Sequence, residues 1–92
     1  ADTTVQVVDA RTADEFAEGH IARAVNVDVL QPDFAEKAVA NLDAKRTVAV
    51  YCRSGRRSKK AAQILVQKGF RVVELDNGFI GWTEAKLPIV EQ

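Results

Sequence analysis

Apolar residues along this chain come in short bursts whose period switches between that of a strand and that of a helix. Val5-Gln6-Val7-Val8-Asp9 is a β-branched run that closes on a carboxylate, and it predicts a strand whose carboxyl end delivers Asp9 to a functional edge. Thr12 then stands three residues before Glu15, the spacing of a capping box, so a short helix is expected from there to about Glu18, ended by Gly19. Val25-Asn26-Val27 reads as a second brief strand. Pro32 near a helix start, with Phe34, Ala35, Ala38, Val39 and Leu42 at helical spacing behind it, predicts an amphipathic helix.

The middle of the chain carries the clearest strand. Thr47-Val48-Ala49-Val50-Tyr51 is apolar without strict alternation, as expected of a central strand buried on both faces of a parallel sheet, and it stops at Cys52. Beyond a polar loop, Ser58 is placed to cap a helix whose apolar face is Ala61, Ala62, Ile64, Leu65 and Val66, with Gly69 as its terminating glycine. Phe70 to Leu75 predicts another strand, Asp76-Asn77-Gly78 a turn, and the residues around Trp82 a last short helix covering the sheet. Strands alternating with helices define an α/β fold. The expected architecture is a three-layer domain with a mostly parallel sheet of about four to five strands and helices on both faces. In such sheets ligands bind at the carboxyl ends of the strands, and Cys52 lies at one.

Composition adds bounds. The 92 residues, 47% apolar, suffice for one domain, read as 1–92, with one core. Thirteen basic and thirteen acidic side chains cancel, which argues against nucleic acid or a membrane surface as a partner of the whole molecule. The cancellation is uneven. No acidic residue lies between Asp43 and Glu74, while Lys45, Arg46, Arg53, Arg56, Arg57, Lys59, Lys60, Lys68 and Arg71 all do. Only Tyr51 and Phe70 flank this basic stretch, too few aromatic side chains for base stacking. A chain that lacks methionine and begins Ala1-Asp2 is expected to be a processed product, either of signal-peptide cleavage or of excision from a longer chain.

The candidate chemistry sits at the centre of the positive segment. Tyr51-Cys52-Arg53-Ser54-Gly55-Arg56-Arg57-Ser58 places the only cysteine at a strand end, followed by a tight loop and a helix N-terminus. Such a loop can turn successive N–H groups towards one point, and the helix adds its positive end, which together make an anion cradle. The same features favour a thiolate. Gly55 supplies the backbone freedom a closed loop demands. An inert core role for Cys52 is disfavoured, because Arg-Ser-Gly-Arg-Arg follows it and cannot occupy an apolar interior.

With this loop the chain resembles the rhodanese family, and the resemblance extends over nearly its whole length. Val8-Asp9-Ala10-Arg11 is similar to the family's Asp-x-Arg motif, Glu15-Phe16 with Gly19-His20-Ile21 and Ala24-Val25-Asn26 to its Gly-His-Ile segment, and Gly78 to Trp82 to its closing turn before a tryptophan. Asn77 stands where many relatives have a first glycine, and Asn tolerates the same left-handed angles. No helix and edge strand precede the Asp-x-Arg strand, a shortened start that resembles the small exported rhodaneses of the phage-shock type and implies a periplasmic location, with the cytoplasm as the alternative.

The resemblance implies a monomeric thiosulfate sulfurtransferase that needs neither metal nor cofactor. Cys52 would take sulfur from a small anionic donor such as thiosulfate and pass it to cyanide or a thiol acceptor. Loop residues Arg53 to Ser58 would supply amides to the persulfide, and Arg56 or Arg57 would steer the sulfonate oxygens. Asp9 and Arg11 would support the loop from a neighbouring strand end, and His20 would belong to a structural turn. Two other readings compete. A cysteine phosphatase or arsenate reductase would use the same cradle for a tetrahedral oxyanion, but its loop carries five residues between Cys and Arg. Here that position is Ser58, and Arg57 comes one residue early. A rhodanese-like binding module without activity typically lacks the nucleophile that this chain retains.

Overall fold

The computed structural model describes residues 5–53, 56–75 and 89–90. Ser54, Gly55, the Asp76-Asn77-Gly78 turn and the helix expected around Trp82 lie outside the described residues. The chain order is β1 (Val5–Asp9), α1 (Ala13–Glu18), β2 (His20–Ile21), β3 (Val25–Asn26), α2 (Phe34–Asn41), β4 (Thr47–Tyr51), α3 (Arg56–Gln67), β5 (Val72–Glu74) and β6 (Ile89–Val90). A four-stranded sheet has the order β3-β1-β4-β5, and each of its pairings is parallel. The His20–Ile21 and Ile89–Val90 strands pair antiparallel in a separate two-stranded sheet that the sequence pattern did not suggest.

This strand order decides where the helices go. From β1 the chain moves to the neighbour on one side, and from β3 it crosses back to the other side and continues outwards. Parallel crossovers are right-handed, so reversing the direction of winding puts α1 on one face and α2 and α3 on the opposite one. Consistent with this, α2 packs on α3. The winding reverses between β1 and β4. That crevice, outside the carboxyl ends of the two strands, is the ligand position of doubly wound sheets.

Side-chain alternation follows the same layering. Val8, Val48 and Val50 are fully buried and pack with Phe34, Ala38, Leu42, Ala61, Ala62, Leu65 and Phe70 in one core. On the other face Val5, Val7, Thr47 and Ala49 are half-buried, so the central strands are less evenly covered than their apolar runs predicted. Val39 and Val66, expected on the buried helical faces, are instead exposed. A residue one position past Ala38 or Leu65 is turned about 100° around the helix axis, which carries Val39 and Val66 past the edge of the buried stripes.

Helix ends follow local chemistry. Thr12 caps α1 in a complete capping box with Glu15. At the far end of α3, Gly69 adopts a left-handed φ of 93°, its N–H bonds Val66 O at 3.0 Å, and Phe70 N–H bonds Leu65 O at 3.1 Å. This is a Schellman closure, and it drops Phe70 into the core. The start of α3 departs from expectation. The helix begins at Arg56, so Ser58 is not its cap but a buried residue of its first turn.

Candidate active site

Cys52 directly follows β4 and is 1% exposed. Its Sγ accepts a hydrogen bond from the Ser58 N–H at 3.3 Å. Amides in a helix's first turn have no partner within the helix, and here one of them points at sulfur. The positive end of α3 therefore lies against the thiol. Among the sequence-predicted loop residues, Arg53 and Arg56 are exposed, Arg57 is half-buried and Ser58 is buried; Ser54 and Gly55 lie outside the described residues.

Arg57 turns towards α1 and not outwards. Its Nη1 donates to Glu15 Oε1 at 2.7 Å and its Nη2 to Oε2 at 3.0 Å, a bidentate pair. The same carboxylate accepts from the Thr12 N–H and Thr12 Oγ1, both at 3.1 Å, so Glu15 serves a helix cap and the arginine at once. Hydrogen bonding from Arg57, reinforced by Thr12 against the opposing effect of burial, holds the Glu15 carboxyl down at about 2. The Arg57 guanidinium is stabilised in turn, first by its hydrogen bonds to Glu15 and then, over the cost of burial, by the charges of Glu15, Cys52 and Asp28.

A second, buried network holds Tyr51, the residue before Cys52. Arg11 Nη2 donates to Asp9 Oδ2 at 2.7 Å, Arg11 Nε donates to Asp9 Oδ1 at 3.0 Å, and both side chains are at least nine-tenths buried. Burial acts to deprotonate Arg11, but the hydrogen bonds and charge of Asp9 outweigh it, and the guanidinium pKa is raised. Tyr51 donates its hydroxyl hydrogen to Asp9 Oδ2 at 2.6 Å and accepts from the Ile21 N–H at 3.1 Å. Burial, then the bond to Asp9, raises the phenol pKa far above its ordinary value and keeps Tyr51 neutral. Arg11 also lies over the Tyr51 ring at 5.6 Å and donates to Gly19 O at 2.6 Å. Asp9 and Arg11 thus pair with each other and hold Tyr51, the residue before Cys52.

Tyr51 is the functional neighbour that sequence reasoning missed. A single phenol at the end of an aliphatic buried strand was the available signal, since a buried Tyr hydroxyl needs a partner. His20 is committed to structure: its ring stacks on Phe16 with centroids 3.7 Å apart, and Nδ1–H donates to Phe16 O at 2.9 Å. It occupies β2 instead of a turn. Two surface depressions, one at the amino ends of β4 and β5 and one between α3 and β5, do not include Cys52.

A doubly wound parallel sheet with a cysteine at its switch point, facing the amino end of a helix, defines a class: α/β domains that present a thiol where an anion can bind. Residues 1–85 match the family of the rhodanese-like domain, and this chain belongs to that family. A sulfurtransferase of Allochromatium vinosum is 39% identical over 92 residues, spanning 98% of this chain and 83% of that protein. The thiosulfate sulfurtransferase GlpE of Shewanella oneidensis is 39% identical over 83 residues, spanning 89% and 79%. Against the senescence-associated protein DIN1 of Raphanus sativus the chain is 34% identical, but it spans only 51% of that protein. The crystal structure of a rhodanese-related protein from Thermoplasma volcanium superposes with a TM-score of 0.87 at 30% identity, covering 97% of this chain and 86% of that one. Family and relatives together support sulfurtransferase chemistry in general.

Proposed function

We propose that the chain moves sulfane sulfur from thiosulfate, or a similar small anionic donor, to a thiol or cyanide through a persulfide on Cys52. The observation that carries this reading is the position of Sγ at the β1/β4 switch point, within hydrogen-bonding distance of a first-turn amide of α3. The Cys52 thiolate attacks the outer sulfur of thiosulfate, a new S–S bond forms, and the old S–S bond breaks with its electron pair leaving on sulfite. An acceptor thiolate or cyanide then attacks the terminal sulfur, and the pair of the broken S–S bond returns to Cys52 as thiolate. Loop amides from Arg53 to Ser58 stabilise negative charge on the persulfide in the way they would hold an anion. Exposed Arg53 and Arg56 attract the donor's sulfonate.

Intact mass spectrometry after incubation with thiosulfate tests the proposal. A gain of one sulfur atom on the wild type, reversed by cyanide and absent in Cys52→Ser, is the expected result. Cys52-dependent release of phosphate from an aryl phosphate, with no persulfide formed, would replace this reading with that of a phosphatase.

A further inference from the structure

If Cys52 is the reactive sulfur, the charged pair beside it has a task in that chemistry. Arg57 immediately precedes Ser58, whose amide meets Sγ, and its charge interacts with that of Cys52. It is nevertheless not offered to a ligand, because both arms of its guanidinium end on Glu15. Glu15 is itself held by the Thr12 cap of α1, on the opposite face of the sheet from the body of α3. The carboxylate thus spans two elements and reaches a residue 42 positions away.

We infer that Glu15 is a positioning residue for Cys52 that acts through Arg57, holding the guanidinium on α1, one residue from the amide that meets the sulfur, and offsetting part of its charge. A guanidinium released from Glu15 would be free to hold the anionic donor or the departing sulfite bidentately and slow turnover. Tied to Glu15, Arg57 still favours the thiolate but does not trap the anion, and the exposed arginines attract the donor. The other charges around the pair are Asp28, which acts on Arg57, the exposed Arg53, Arg56, Lys59 and Lys60, and the Asp9–Arg11 pair beneath Tyr51. None of these takes Glu15's place against Arg57, since Asp28 contributes least of the causes that stabilise it.

This inference rests on Cys52 being the reactive thiol, but its test needs no sulfur transfer. The rate of Cys52 alkylation by iodoacetamide is followed against pH in the wild type, Glu15→Gln, Arg57→Gln and the double variant. Gln at the third helical position still completes a capping box, so α1 is retained, and far-UV circular dichroism checks it. Removing the carboxylate leaves Arg57 uncompensated and should speed alkylation at pH 6 about threefold to tenfold. Arg57→Gln should slow it by a similar factor, the double variant should return close to wild type, and Glu15→Asp, which keeps the charge, should stay near wild type. Superimposable pH profiles for Glu15→Gln and the wild type would reduce Glu15 to a helix cap and overturn the inference. Slower alkylation in Glu15→Gln would overturn it too. Failure of the wild type to form a persulfide, with this alkylation pattern intact, would instead count against thiosulfate chemistry alone.

Discussion

Among the described residues two arginine–carboxylate pairs join the segment around Cys52, one through Tyr51 and one through Arg57, and they differ in one respect that sets their roles. Asp9–Arg11 is sealed, with side chains 0% and 5% exposed, while Glu15–Arg57 is open to solvent, at 28% and 23%. In the sealed pair the partners among the described residues are buried with it: Tyr51, Gly19 and the Arg11 backbone N–H share the charges. Such a pair is costly to assemble and more costly to break, because either partner left alone is a buried charge. In the open pair water screens both groups, so loss of one partner costs little stability and changes the local charge instead. The lesson is that the same bond serves as scaffold where it is dry and as electrostatic control where it is wet.

The largest effect is expected from breaking the sealed pair. Asp9→Ala leaves the buried Arg11 charge without its carboxylate and should cost about 3–5 kcal/mol, read as a lower urea midpoint at unchanged slope. Replacing both residues by apolar side chains should recover much of that loss, and failure to recover it would mean the network has a role beyond its own satisfaction. Tyr51→Phe is the next step down. It leaves the Ile21 N–H and an Asp9 lone pair unpaired and should cost about 1–3 kcal/mol.

The open pair is sharpened by acid. Because the folded-state value for Glu15 is lowered to about 2 from 4.5, its contribution is complete above about 4.5 and is lost as pH falls towards about 2. Partial exposure reduces that contribution to about 1 kcal/mol. Wild type and Glu15→Gln should therefore differ in urea midpoint at pH 6, with the difference narrowing below about 4.5 and closing only as pH falls through about 2. A difference that persisted undiminished at the lower pH would show that Glu15 acts as a cap alone, with no charge in its contribution.

Signals that act within a few residues were legible in the chain itself. The Thr12–Glu15 capping box, the Gly69 closure, the Thr47–Tyr51 strand and the placement of Cys52 at its end each depend on backbone geometry over one turn or one pleat. Alternation of strands and helices then implied a parallel sheet, and the basic segment around Cys52 implied an anion site. What tertiary structure alone decided was the choice of partners across the chain. Arg57 reaches Glu15 and Tyr51 reaches Asp9, each over 42 positions, only because the reversed winding brings β1, β4, α1 and the start of α3 to one edge. Ser58 changed from cap to hydrogen-bond donor towards Sγ because the helix starts three residues earlier than its side chain suggested, and His20–Ile21 became a strand only by meeting Ile89–Val90. Periodicity and capping are written in neighbouring residues, whereas a side chain's distant partner is set by how the elements cross, and no local pattern encodes that crossing.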